Sequence, residues 1–179
     1  MARRSSTSYL DRIYSTLPYL LPMTSVVSIM VYERTILRFG FANFLIKQFD
    51  ILKYFVLPFA HIDELLSITI SSFISIRFVA WFCVFIFVVR SYKVNRFIRF
   101  NAMQALLLDI VIALIGAVTQ LLALTLGKFD FFSFILQIIS SVTFLGMTAA
   151  FIYAVFECMR GNYADKIPVV SDVASSQIY

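Results

Sequence analysis

Apolar and polar residues fall in long blocks along this chain rather than alternating singly. A polar arm over residues 1–12 carries Arg3, Arg4 and Arg12 beside a Ser/Thr cluster. Four apolar runs follow, at residues 13–31, 65–89, 102–126 and 131–156, and a polar tail closes the chain at 161–179. A helix of about 20 apolar residues matches the hydrocarbon thickness of a bilayer. The expected fold is therefore all-α, a multi-pass membrane protein whose four-transmembrane-helix bundle occupies residues 13–160.

The polar positions refine these elements. Pro18 and Pro22 lie four apart in the first span, which predicts an irregular start and regular helix from one of them onward. Between spans one and two, residues 41–57 carry Asn43, Lys47 and Asp50 at i, i+4 and i+7 amid Phe41, Phe44 and Leu45. That pattern predicts an amphipathic helix lying in the interface and stopped by Pro58. Asn101 stands at the head of the third span as the expected N-cap, with Gln104 at the capping-box position. Gly127 is the expected C′ residue of the same helix. The tail shows no apolar periodicity and is expected to stay flexible unless a partner orders it.

Composition supports a membrane setting. The 179 residues are 61% hydrophobic and 14% charged, with mean hydropathy +0.89. Soluble domains carry about 25% charged residues. The net charge of +5 comes partly from short basic turns, so a nucleic-acid partner is not expected. Lys and Arg number nine on the side of the arm, the Arg90–Phe100 turn and the tail, against five on the other side. The positive-inside rule then puts both termini on the cytoplasm-equivalent face.

A few polar residues fall where lipid would not tolerate them alone. Arg77 lies near the middle of the second span and Asp109 about two turns inside the third. Counted from Arg90 and Asn101 their depths are about 20 Å and about 12 Å. A buried Arg77–Asp109 contact, direct or through water, is the expectation, with Arg96 or Arg99 as rival partners for Asp109. Arg77, Asn101, Gln104, Asp109 and Gln120 are the buried polar candidates. Ala113 and Ala117 in the third span, and Gly146, Ala150 and Ala154 in the fourth, repeat every four residues and are the candidate helix-packing positions. Cys83, Cys158 and the single His61 form no metal or nucleophile pattern, so no catalytic residue, cofactor or metal is expected.

Arg96–Ile110, R-F-I-R-F-N-A-M-Q-A-L-L-L-D-I, joins a basic turn directly to an apolar helix. Its run from Phe97 to Ile110 resembles the signature of the twenty-kilodalton subunit family of the translocon at the inner envelope of chloroplasts, which has cyanobacterial relatives. Leu17-Pro18-Tyr19-Leu20-Leu21-Pro22 resembles that family's N-terminal segment, and Ile167-Pro168-Val169-Val170-Ser171 its C-terminal tail. Nothing between Tyr32 and Ser67 matches.

The resemblance implies a membrane subunit contributing to the preprotein-conducting path. It implies other inner-envelope translocon subunits and translocating preproteins as partners; membrane lipid and self-association are expected beside them because four helices are few for enclosing a path. The implied location is the plastid inner envelope with both termini stromal, or alternatively a cyanobacterial plasma membrane. The chain by itself leaves two other readings open, a small multi-pass transporter or ion-conducting protein and a non-conducting assembly factor.

Overall fold

The computed structural model describes residues 7–36, 48, 50–71 and 74–178. In chain order they form α1 (Tyr9–Thr16), a 3-10 turn at Leu17–Tyr19, α2 (Leu20–Ile36) and α3 (Asp50–Leu66). A hairpin of β1 (Thr69–Ser71) and β2 (Ile74–Ser75) leads into α4 (Ile76–Cys83), which continues as a π-helical stretch at Val84–Val89. Then come α5 (Arg96–Leu126), α6 (Asp130–Arg160) and α7 (Val170–Gln177).

α5 and α6 frame the molecule. Each has 31 residues, or about 46 Å at 1.5 Å per residue, against about 30 Å of hydrocarbon. Among the described residues these two helices are long and apolar enough to cross a membrane. α5 starts five residues earlier than Asn101. Its N-cap is Asn95, whose side-chain oxygen accepts from the Phe97 N–H at 3.1 Å. Asn101 sits inside the helix, because a bilayer border and a helix start need not coincide: Arg96 and Arg99 are sound helix formers outside lipid. Gly127 ends α5 in a right-handed conformation, since the link to α6 is a tight turn with Phe129 N–H bonded to Leu126 O at 3.0 Å.

The first segment is helical earlier and longer than its apolar run. α1 begins at Tyr9, inside the expected polar arm, and the Asp11 carboxylate accepts from the Ser8 N–H at 3.1 Å. Pro18 sits in the 3-10 turn and Pro22 in the first turn of α2, where a missing N–H costs least.

A continuous helix over 65–89 is not what forms. α3 runs through Pro58 to Leu66, the hairpin follows, and helix resumes after Ser75, whose hydroxyl accepts from Phe78 N–H at 3.3 Å. What remains is a shorter apolar helix, Ile76–Val89. The Ser/Thr residues from Ser67 to Ser75 explain the break. Their side chains compete for backbone groups, as when Ser67 donates to Glu64 O at 2.9 Å. Pro58 does not stop α3, because neighbouring side chains anchor the helix on both sides. Phe55 and Phe59 pack against Phe151 of α6 at 6.4 and 5.4 Å. Asn43 and Lys47, with residues 41–47 and 49 of the expected interfacial helix, lie outside the described residues.

The core joins Tyr19, Met23 and Val27 to Leu108 and Ile112 of α5 and to Phe144 and Ala154 of α6. A second cluster packs Val89 and the Trp81–Phe85 stack against Leu21, Ala102 and Leu106. α1, the basic turn and the tail share one end of the molecule. There the Asn95 amide donates to Asp11 at 3.3 Å and the Arg12 guanidinium to Met159 O at 3.2 Å. Gly161 makes that end possible. At φ +78° it reverses the chain after α6, its N–H bonding Cys158 O while Asn162 N–H bonds Glu157 O, both at 2.9 Å. The tail is ordered against α5, contrary to expectation: Ser171, Ala174 and Ile178 are buried.

Candidate functional site

Two knots of buried polar groups sit in this apolar body. The deeper one ties four helices together. Arg77, at the start of α4, pairs with Asp63 of α3 and donates to the Ser25 hydroxyl of α2. It also reaches Thr24 Oγ1 at 3.3 Å and Leu21 O at 3.4 Å. Ser25 in turn donates to Asp109 of α5, and Ser28 bonds Asp63. The result is a relay, Asp63–Arg77–Ser25–Asp109. Burial raises the Asp63 carboxyl above its usual range, while the charge of Arg77 and the Ser28 and Arg77 hydrogen bonds lower it. Every lone pair that the carboxylates expose is therefore under pressure to find a donor.

Arg77 and Asp109 do not pair directly; the Ser25 hydroxyl occupies the position between them. Asn101 is the wrong origin for the depth of Asp109. Asp109 is 13 residues from Arg96, the true start of α5, and Arg77 is 13 from Arg90, so the two sit level. Of the two rival partners, Arg96 lines a separate cavity and Arg99 is engaged elsewhere. Arg99 Nε donates to Val89 O at 2.8 Å and its guanidinium lies 5.6 Å from the Tyr92 ring.

Beside the relay lies a cleft of about 230 Å³ lined by Ser25, Ser28, Arg77, Ala113, Ala117 and Gln120. Gln120 is exposed rather than buried. Ala113 and Ala117 are exposed too, and the small residue that meets another helix is Gly116, where a methyl group would stand 3.0 Å from Ile29. Small residues on α5 thus keep the cleft open instead of closing a helix pair.

The shallower knot ties the first segment and the tail to α5. The Tyr19 hydroxyl lies 3.2 Å from both Asn101 Oδ1 and Gln104 Oε1. Asn101 donates back to Phe97 O at 2.9 Å, and Gln104 donates to Ala164 O at 2.9 Å and the Ser171 hydroxyl at 3.1 Å. Asn101 and Gln104 are fully buried; they are interior clamps, not caps. Of the fourth-span stripe only Ala154 is packed in the core. Ala150 is half-buried, and at Gly146 an added methyl would meet nothing within 4 Å.

Tyr19, Asp63 and Ser171 do not stand out in the sequence as site residues, whereas Ser25 does so as a hydroxyl in the first span able to contact a neighbouring helix. Asp63 offered the clearest signal, as a carboxylate 14 residues before Arg77. Among the described residues no group of His, Cys, Asp or Glu is arranged to hold a metal ion.

A family model described as "Chloroplast import apparatus Tic20-like" matches residues 3–174. The chain belongs to the Tic20 family. A "Tic20 family protein" of Synechocystis sp. is 31% identical over 179 residues, covering 99% of each chain. "Tic20 family protein Ycf60" of Cyanidium caldarium is 34% identical over 101 residues, 54% of this chain and 47% of the relative. The family is associated with chloroplast protein import. Membership of the Tic20 family extends over both polar knots, since the matched residues run from before α1 into α7.

Proposed function

We propose that this chain is a membrane subunit of a protein-import translocon and contributes polar surface to the path of the preprotein. The observation that carries the reading is the Asp63–Arg77–Ser25–Asp109 relay opening on the cleft at Gln120. A peptide crossing a bilayer must keep its backbone groups solvated or bonded. Hydroxyl, guanidinium and carboxamide groups at the depth of Asp109 are suited to that task. Nothing about the arrangement resembles a nucleophile with its base.

We read α1–α2 and Ile76–Val89 as the remaining two crossings, so that the arm, the basic turn and the tail share the cytoplasm-equivalent face. Their shared end in the fold and the excess of Lys and Arg there support this. Partners are other translocon subunits and the preprotein itself, because so few helices cannot enclose a path alone. The location is a plastid inner envelope or, as the Synechocystis relative favours, a cyanobacterial plasma membrane.

Photocross-linking during import of a stalled preprotein tests the reading. Probes at Ala113 and Gln120, on the cleft, are expected to label the preprotein, while a probe at Leu124 labels lipid. Labelling of other membrane subunits alone would make the chain a scaffold. Solute flux from the chain reconstituted by itself would make it a transporter.

A further inference from the structure

Two cavities meet at Tyr153 and Lys166, and the tail runs between them. One, of about 620 Å³, opens at the end that carries the basic turn, among groups of both charges such as Arg96 and Glu157. The other, of about 600 Å³, is an apolar groove between α5 and α6, walled by Val111, Ile115, Val142 and Ala150. Asp165, Lys166, Ser175 and Ile178 line the first cavity, and Lys166, Ile167, Pro168 and Val170 line the second. The tail is therefore the partition between the polar mouth and the groove.

That partition is held at a conformational cost. Val169 has φ +65° and ψ −49°, and Val170 N–H bonds Pro168 O at 2.7 Å. This is a γ-turn of the strained, positive-φ kind, in a β-branched residue that rarely adopts it. Packing at Val169 does little to offset the strain, since the residue is 72% exposed. Ser171 secures the turn instead. Its hydroxyl accepts from Ile167 N–H and from the buried Gln104 amide, both at 3.1 Å, and donates to Ala164 O at 3.3 Å.

The hold is local. Ile167 and Val170 only border the main core, while Ala174 and Ile178 meet Phe100 in a small cluster of their own. α7 has eight residues, and a helix so short is marginal in water without tertiary contacts. Ser175 and Ser176 donate to Asp172 O and Val173 O at 2.8 and 2.7 Å, side-chain bonds that compete with helix. Segments with so few buried apolar contacts open at a smaller free energy than the body that carries them. We infer that residues 166–178 form a releasable strap. It seals the α5–α6 groove from the polar mouth, and it lifts, with α7 melting, while α5 and α6 stay folded.

Hydrogen exchange of the full-length protein in lipid nanodiscs, read by mass spectrometry, tests the strap. Amides of residues 170–178 are expected to exchange through a local opening that hardly responds to low denaturant, whereas those of residues 144–154 in α6 need a denaturant-sensitive one. Val169→Gly admits the turn without strain and should slow exchange of the tail about five-fold. Ser171→Ala removes the hydroxyl that secures the turn and should quicken it about five-fold. Neither should alter exchange at 144–154. Sealing is read separately. With Cys83→Ser as background and Cys158 0% exposed, Ala150→Cys offers one thiol in the groove to a charged methanethiosulfonate reagent. Its labelling should quicken when Ser171→Ala is added and slow when Val169→Gly is added. Three results would overturn the inference: tail amides sharing the denaturant dependence of α6, tail exchange no slower in Val169→Gly, or labelling of the groove thiol that is indifferent to Ser171→Ala.

Discussion

The α5–α6 hairpin has two unlike halves. Near the basic turn it is wrapped by α1, α2, α4 and the tail, and its polar residues are buried: Asn101 and Gln104 are 0% exposed. Toward Gly127 it stands largely bare. There Leu121 is 64% and Phe131 69% exposed, and Ala123 with Leu136 makes the small contact that remains. Apolar content does not separate the halves. In a bilayer an exposed leucine is already at home, so apolar surface alone does not drive helices together. Helices gather where a polar group needs a partner, and the two knots occupy the wrapped half.

Several substitutions would break or sharpen this contrast. The largest loss is expected at the relay. Arg77→Leu or Asp63→Leu alone strands a charge among helices and should cost about 3 kcal/mol, by analogy with broken buried pairs. Arg77→Leu/Asp63→Leu together should recover most of that loss, because the raised Asp63 carboxyl shows that burying the charge is itself unfavourable. Denaturant unfolding of the full chain in mixed micelles measures all three variants. Losses that simply add would mean the two residues act independently.

Gln104→Leu comes next. It removes the amide that Ala164 O and the Ser171 hydroxyl share, leaving Ala164 O the Ser171 hydroxyl and Ser171 the Ile167 N–H, and should cost about 1–1.5 kcal/mol. Tryptic cleavage after Lys166 should quicken at the same time, since the tail loses its clamp. Gly161→Ala should cost about 1 kcal/mol through its left-handed backbone, with Thr7 Oγ1 only 2.8 Å from the added carbon. The same unfolding curves, shifted without a change in slope, would show it. Smallest of all are Leu121→Ala and Phe131→Ala on the bare half, each within about 0.5 kcal/mol. A loss of 2 kcal/mol at either would mean that this half is covered by protein, and the contrast would fail.

Sequence reading reached the two long helices and, of the two knots, Arg77, Asp109, Asn101 and Gln104, but not how those residues pair. The 102–126 and 131–156 runs fall inside α5 and α6 because a long apolar stretch with at most one charge has one good solution in lipid. Asn101 was assigned the wrong task because cap and clamp use the same side chain. The choice rests on Tyr19, 82 residues away. The hairpin in 65–89 was hidden by an apolar average that ignores hydroxyl side chains. The tail did carry a signal: Ser171, Ala174 and Ile178 recur at i, i+3 and i+7, a helical face on which only Ile178 registers as strongly apolar.

By itself the sequence determined the solvent, the predominance of helix and the family. Those follow from local composition and from motifs carried on single segments. The tertiary structure alone decided that Arg77 meets Asp63, that Ser25 bridges to Asp109, and that Gly146 faces open space while Ala154 is packed. A hydrogen bond between helices depends on their relative rotation and offset. No one helix encodes either quantity, since both emerge only when all the polar groups are satisfied together.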